Sequence, residues 1–166
     1  MTFANANILL VEDEELNLEL LKRRLVEESY TVTTTTSAKA ALELLKTSEF
    51  DLVLLDIMLP DINGDVLLEE IKSNPLFKKI QVIMMSANGE REMVLKCIEA
   101  GAIDYLMKPY SMPIVKARIL RSLKNAKMQS TDQEFENAKI LLVDDQELNR
   151  DVLAHRLKKS GYIIES

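Results

Sequence analysis

The sequence has few of the features that mark secreted, membrane-bound or nucleic-acid-binding proteins. Cys97 is the only cysteine among 166 residues, which excludes an intramolecular disulfide and is typical of the reducing cytoplasm. No apolar run is long enough to cross a membrane, and residues 1–7 lack the basic start of a signal peptide. The formal net charge of -6 argues against direct nucleic-acid recognition, which relies on a basic patch. We therefore expect a cytoplasmic protein that binds neither membranes nor nucleic acid.

Short aliphatic runs separated by helical patterns predict the fold. Runs of this kind are typical of strands that are buried on both faces of a parallel sheet. The four aliphatic runs and one β-branched run are Ile8–Val11, Thr31–Thr35, Leu52–Leu55, Val82–Met85 and Ile103–Met107. Helices are predicted after each strand, the last four over residues 38–46, 65–73, 90–100 and 112–128, with Ser37 as an N-cap and Gly101 as a C-cap. Five βα units predict a doubly wound α/β sandwich.

Four of the predicted strands end at polar residues. Glu12 and Asp13 follow the first strand, Asp56 follows the third, Ser86 the fourth and Lys108 the fifth. The carboxyl ends of parallel strands meet at one edge of a sheet, where such folds bind ligands. We therefore expect three carboxylates, one hydroxyl and one ammonium in a single crevice.

This set of groups suits phosphoryl transfer. Carboxylates at Glu12, Asp13 and Asp56 would repel one another, and a Mg²⁺ ion resolves that conflict with oxygen ligands. A carboxylate also serves as a nucleophile towards phosphorus, while Lys108 and Ser86 supply a charge and a hydroxyl that stabilise phosphoryl oxygens. Any one of these acids alone is more often a helix cap. Polar groups at the ends of four strands of one sheet are not explained by capping.

The motifs resemble the receiver domains of two-component response regulators. The resemblance covers residue 8 to about residue 128. Its segments are Ile-Leu-Leu-Val-Glu-Asp at 8–13, Leu-Asp-Ile-Met-Leu-Pro at 55–60 with Asn-Gly at 63–64, Met-Ser-Ala at 85–87, and Gly-Ala-Ile-Asp-Tyr-Leu-Met-Lys-Pro at 101–109. The resemblance implies a flavodoxin-like strand order of 2-1-3-4-5.

The resemblance also assigns roles to individual residues. It implies that Asp56 accepts a phosphoryl group from a sensor histidine kinase or phosphotransfer protein. Asp13, Asp56 and the backbone carbonyl of Met58 would bind Mg²⁺, with Glu12 acting directly or through water. Lys108 would pair with the phosphoryl group.

The same resemblance implies a conformational switch. Ser86 would hydrogen-bond to the phosphoryl group and Tyr105 would turn inward. The surface of the fourth helix, fifth strand and fifth helix would then change and control an output domain or protein, or form a homodimer. Enzymatic activity would be limited to the phosphorylation and dephosphorylation of the domain itself.

The end of the chain repeats its beginning. Residues 138–166 align without gaps on residues 6–34, with 13 of 29 positions identical and a constant offset of 132. We expect a receiver domain at 1–128, a linker at 129–137 and a partial second receiver-like β-α-β segment at 138–166. Such a segment cannot bury its own apolar face, so we expect it to be loosely ordered or to pack against another chain. His155 matches Arg23 in the repeat and is expected on a solvated helix side.

Three alternative functions stay open at the level of sequence. In the first, the chain belongs to a larger tandem-receiver regulator, either as the front of one that ends in a diguanylate cyclase domain or as part of the tail of a hybrid kinase. In the second, it is a metal-dependent phosphatase with Asp56 as nucleophile, although haloacid-dehalogenase-like phosphatases have a second aspartate where this chain has Met58. In the third, it is an interaction module that never carries phosphate.

Overall fold

A computed structural model describes residues 5–87, 91–128, 139–141, 147–159 and 163–165. The strands are β1 (Asn7–Val11), β2 (Thr31–Thr35), β3 (Leu52–Asp56), β4 (Gln81–Ser86), β5 (Asp104–Met107), β6 (Lys139–Leu141) and β7 (Ile163–Glu165). The helices are α1 (Glu15–Glu27), α2 (Ala38–Thr47), α3 (Gly64–Ser73), α4 (Arg91–Glu99), α5 (Met112–Met128) and α6 (Glu147–Lys159). The predicted elements are confirmed, with boundaries that shift by only one or two residues.

The first five strands form one parallel sheet in the order β2-β1-β3-β4-β5. This order confirms the prediction. β1 lies beside β3, with Val11 opposite Leu55, so the residues that follow both strands lie at the same edge. Asp56 lies opposite Met85 of β4, and Ser86 lies opposite Met107 of β5. The register therefore brings all four polar strand ends together.

Alternate residues of the central strands pack on opposite sides of the sheet, as the two-residue period of a strand requires. Leu9 and Leu55 belong to a buried cluster with residues of α2, α3 and α4, among them the fully buried Cys97. Leu10 and Leu54 belong to a second buried cluster with residues of α1 and α5. The architecture is therefore the predicted three-layer sandwich, which holds the strand ends rigidly.

Two helix ends confirm the predicted caps. The Ser37 side chain accepts a hydrogen bond from the backbone N–H of Ala40 at 3.3 Å, which satisfies a free donor of α2. Gly101 has a φ of 106°, a left-handed conformation that follows α4 and that favours glycine because it has no Cβ. Its N–H donates to the Ile98 carbonyl at 3.1 Å. The two caps therefore mark where α2 begins and where α4 ends.

The C-terminal repeat forms a small parallel pair, β6 and β7, with α6 between them in sequence. The predicted linker at 129–137 and the repeated acid pair at 144–145 lie outside the described residues. We expected the repeat to be loosely ordered or to pack against another chain; instead, α6 lies against α4 of the same chain. The physical reason is that the first domain has partly exposed apolar side chains beside α4, and Val152 of α6 packs against its core.

Within the described part of the chain, none of the helices combines the length and the apolar character that a membrane span requires.

Candidate phosphoryl-transfer site

The site lies at the carboxyl edge of the sheet, where the sequence predicted it. Asp56 is the last residue of β3 and only 3% exposed, and Glu12 follows β1 directly and is 1% exposed. Asp13 is exposed. One carboxylate oxygen from each of the three acids lies within 4.8 Å of the other two. The structure thus brings together the three predicted acids in a partly open cluster.

Lys108 binds two of these acids. Its Nζ donates a hydrogen bond to Glu12 Oε2 at 2.6 Å and another to Asp56 Oδ2. The Lys108 side chain is 18% exposed, so the ammonium reaches into the crevice from its rim. The backbone N–H of Lys108 donates to the Ser86 carbonyl at 2.7 Å, which ties the lysine to β4. The arrangement places one cation between two buried anions.

The electrostatics of this cluster follow from burial and proximity. Burial raises the pKa of Glu12, and the hydrogen bond and charge of Lys108 only partly oppose this effect. Burial alone would lower the pKa of Lys108, but hydrogen bonds and charges from Asp56 and Glu12 outweigh it and raise that pKa overall. Lys108 is therefore a firmly charged ammonium, whereas Glu12 takes up a proton more readily than a free glutamate.

The backbone around Asp56 is tightly constrained. The N–H of Met58 donates to Asp56 Oδ1 at 3.1 Å and so orients the carboxylate. Gly64, at the start of α3, lies so close that a Cβ there would be 2.0 Å from the Asp56 carbonyl oxygen. Gly64 also donates its N–H to Ile57 at 2.7 Å. Only glycine therefore allows α3 to start against the residue whose side chain is the candidate nucleophile.

Ser86 and Tyr105 form the second part of the site. Ser86 is 2% exposed and Tyr105 is 8% exposed, and their side chains are hydrogen-bonded to each other. Burial raises the pKa of the Tyr105 hydroxyl, and the bond to Ser86 partly opposes this. The predicted switch residue thus already points inward in this structure, next to the predicted hydroxyl.

The residues present fit a hard divalent cation. Mg²⁺ prefers oxygen ligands and is commonly held by one or two carboxylates together with water and a phosphate oxygen. Glu12, Asp13 and Asp56 offer such oxygens at close quarters, and the exposure of Asp13 leaves room for water. The carbonyl of Met58 stays a predicted ligand.

Three structural contacts near the site were missed by the sequence analysis. The contact of Gly64 with Asp56 gives no sequence signal beyond the Asn-Gly pair. Asp61 accepts hydrogen bonds from the backbone N–H groups of Ala38 and Lys39, both at 2.9 Å, and so caps α2 from 22 or more residues away. These bonds lower the pKa of Asp61. A cap of this kind cannot be read from local spacing.

The third missed contact concerns Asp104. Asp104 lies at the start of β5 and is 3% exposed. It accepts a hydrogen bond from the Arg118 guanidinium on α5 of the same chain. Its carboxylate is therefore committed to an internal ion pair rather than to an exposed surface.

Fold and site together define a receiver. The model of the response regulator receiver domain family matches residues 8–120, and the chain belongs to that family. Members of this family are the receiver domains of two-component response regulators.

Individual relatives agree with this assignment. A Vibrio cholerae protein named "Probable cyclic di-GMP phosphodiesterase" is 35% identical over 122 residues, covering 74% of this chain and 27% of that protein. The "Probable transcriptional regulatory protein SilR" of Salmonella typhimurium is 31% identical over 154 residues, covering 93% of this chain and 63% of that protein. The chain spans less than two thirds of both relatives. The crystal structure of a CheY-like response regulator receiver domain protein from Methanospirillum hungatei has a TM-score of 0.72 at 29% identity, covering 76% of this chain and 99% of that one.

Proposed function

We propose that Asp56 is the phosphoacceptor of this receiver and that Mg²⁺ assists the reaction. The observation that supports this most directly is the position of Lys108, whose ammonium binds Asp56 and Glu12 beside Asp13. The phosphoryl donor would be a phosphohistidine of a sensor kinase or a phosphotransfer protein. A cleft of ≈ 570 Å³ beside Lys108, between α1 and the segment after β5, gives a partner access to the site.

The chemistry requires only positioning and charge neutralisation. A carboxylate oxygen of Asp56 attacks phosphorus, an acyl phosphate forms, and the phosphorus–nitrogen bond of the donor breaks with its electron pair returning to the imidazole. Lys108 stabilises the negative charge on the phosphoryl oxygens. Mg²⁺, held by Glu12, Asp13, Asp56 and the Met58 carbonyl, would supply further charge neutralisation. Hydrolysis of the acyl phosphate would return the protein to its resting state.

The output of the domain would come from the pair of Ser86 and Tyr105. A phosphoryl group on Asp56 would offer Ser86 a charged acceptor in place of Tyr105, and Tyr105 lies on β5, between α4 and α5. A change at this pair would therefore alter the surface formed by α4, β5 and α5, which an output domain or protein would read.

We propose no catalytic activity beyond phosphorylation and dephosphorylation of the domain itself. The name of the Vibrio cholerae relative concerns a protein of which this chain covers about a quarter, so a diesterase or cyclase activity would belong to segments other than the receiver. We place the protein in the cytoplasm, where sensor kinases present their phosphohistidines. The free, buried thiol of Cys97 suits that reducing compartment.

The decisive experiment is the intact mass of the protein after incubation with acetyl phosphate, with and without Mg²⁺. We expect a gain of one phosphoryl group that requires Mg²⁺ and disappears in Asp56→Asn. Asp51→Asn is the matched control, because Asp51 precedes the same strand at its opposite end, where its side chain accepts a hydrogen bond from the Asn7 backbone N–H. A gain of mass that survives in Asp56→Asn, or no gain in the folded wild type, would reject the proposal.

A further inference from the structure

Helix α6 is seated on the surface formed by α4 (Arg91–Glu99), β5 (Asp104–Met107) and α5 (Met112–Met128), which we call the α4–β5–α5 face. Val152 packs against the core cluster that contains Val94 and Tyr105. A groove of ≈ 510 Å³ between the two parts is lined by Tyr105, Ile114 and Leu153, among others. The apolar centre of the contact is therefore continuous with the core of the receiver.

Opposite charges face each other around this apolar centre. The three pairs join α6 to α4 and β5: Asp151 with Arg91, His155 with Glu99 at 3.7 Å, and Arg156 with Asp104 at 4.0 Å. The Arg156 side chain is 17% exposed and that of Asp104 is 4% exposed, so this pair is shielded from solvent. Contrary to the sequence-based expectation, His155 is partly buried rather than solvated. These three pairs are complementary, although Arg156 also lies near the like-charged Arg118 and Arg121 of α5.

The internal repeat shows which side of α6 makes this contact. Four contact residues of α6, at the offset of 132, match four exposed residues of α1: Asp151 matches Glu19, Val152 matches Leu20, His155 matches Arg23 and Arg156 matches Arg24. The opposite side of α1 is the one that covers its own sheet, through Leu18, Leu21 and Leu25. The charged pairs and Val152 therefore use the side of the helix that a receiver unit leaves exposed, whereas Leu153, which lines the groove, matches the buried Leu21.

We propose that the α4–β5–α5 face is a binding site for the exposed side of the first helix of the following receiver-like unit in the same chain. An apolar centre and three pairs of opposite charge join the two surfaces. The occupant is α6, and Val152 and Arg156 are its central residues. The contact is an association between units within one molecule.

A consequence for signalling rests on the proposed function. An output partner or a second copy of the chain that uses the α4–β5–α5 face would have to displace α6. Phosphorylation of Asp56, which would change this face, would then change how tightly α6 is held.

Amide hydrogen exchange in the full chain tests the docking directly. An isolated helix of 13 residues is marginal in water, so slow exchange of α6 amides reports on its contacts. We expect α6 to be protected in a protein that is monomeric by sedimentation, and Arg156→Glu to speed its exchange by about tenfold or more, since a shielded ion pair is broken. Lys158→Glu is the matched control: it makes the same charge change at an exposed position of the same helix and should leave the exchange unchanged.

A charge swap separates docking from a general loss of helix stability. Asp151→Arg should speed exchange in α6, and the added substitution Arg91→Asp should restore protection, because the pair is rebuilt with reversed polarity. Fast exchange of α6 in the wild-type monomer, equal effects of Arg156→Glu and Lys158→Glu, or no restoration by the swap would each overturn the proposal. Protection that appears only in a dimer would assign the contact to a second copy and overturn it as well.

The signalling consequence has its own readout. Acetyl phosphate should alter α6 exchange in the wild type but not in Asp56→Asn, whereas docking itself should persist in Asp56→Asn. If Asp56 is not the acceptor, only the first result fails and the docking result stands. Unchanged α6 exchange in a protein shown by its mass to be phosphorylated would reject the coupling.

Discussion

Replacing Lys108 with methionine tests how the acidic cluster is held together. The substitution keeps the aliphatic stem and removes the ammonium that binds both Glu12 and Asp56. These carboxylates are 1% and 3% exposed, and removing one partner of a buried ion pair costs about 3–5 kcal/mol because it leaves an uncompensated charge. We expect a loss of free energy of unfolding in this range in the absence of divalent cations.

The loss of unfolding free energy in Lys108→Met should depend on pH, and Glu12 determines whether the loss grows or shrinks as pH rises. Its pKa in the folded protein is already raised above the reference value of 4.5, and without Lys108 it rises further. A group with a raised folded-state pKa binds its proton more tightly in the folded state, so the stability it adds is present at low pH and is lost as pH rises through that pKa. The difference between variant and wild type should therefore be smaller at about pH 5 than at about pH 8.

Urea unfolding at both pH values measures this difference. Lys46→Met serves as control, because Lys46 pairs with Glu43 at 2.7 Å with both side chains more than half exposed, and such pairs contribute about 0.5 kcal/mol or less. Added Mg²⁺ should restore part of the stability of Lys108→Met by neutralising the carboxylates. A loss below about 1 kcal/mol at about pH 8, no larger than in the control, would refute the reasoning that Lys108 neutralises a buried anion pair.

Three further predictions concern glycine and cysteine. Gly64→Ala places a Cβ 2.0 Å from the Asp56 carbonyl oxygen, so we expect a loss of about 1–3 kcal/mol in urea unfolding and slower phosphorylation by acetyl phosphate; an unchanged protein would contradict the clash. Gly101→Ala would place a Cβ 3.2 Å from Lys72 Cγ at a residue whose φ is 106°. We expect thermal unfolding to show a loss of stability of about 1–3 kcal/mol, whereas wild-type stability would mean that the backbone at this position relaxes freely. Burial raises the pKa of the Cys97 thiol to about 11, so at about pH 8 about one molecule in a thousand is a thiolate. A thiol reagent should label Cys97 quickly in urea and slowly in the native protein, and rapid native labelling would disprove its burial.

The sequence predicted the fold and the main site residues because both depend on simple geometry. Aliphatic runs such as Leu52–Leu55 are recognisable as buried parallel strands, and the polar residue after each run must lie at the carboxyl edge of the sheet. Glu12, Asp56 and Lys108 therefore meet in the structure as predicted, whatever the details of the loops between them. The chemical roles of these residues remain proposals, because geometry alone does not show phosphoryl transfer.

The contacts that escaped prediction are those between elements far apart in sequence with no periodic signal. The pair of Asp104 with Arg118 joins the start of β5 to α5, and no local spacing in the sequence indicates it. The docking of α6 escaped for the same reason. His155 was expected on the solvated side of a helix, which is where its counterpart Arg23 lies on α1. Only the tertiary structure shows that the α4–β5–α5 face lies opposite it.

Strand β5 and the residue that follows its end connect the candidate site to the docked helix. Asp104, at the start of β5, binds Arg118 and approaches Arg156 of α6. The next residue, Tyr105, is hydrogen-bonded to Ser86. Lys108 follows the strand and binds both buried acids. The cation of the site, the tyrosine of the proposed switch and the acid that faces α6 are thus at most four residues apart, on β5 and the residue that follows it. A small displacement of β5 that follows charge on Asp56 would therefore reach α6 through Asp104, which is why we expect α6 exchange to report on the state of Asp56.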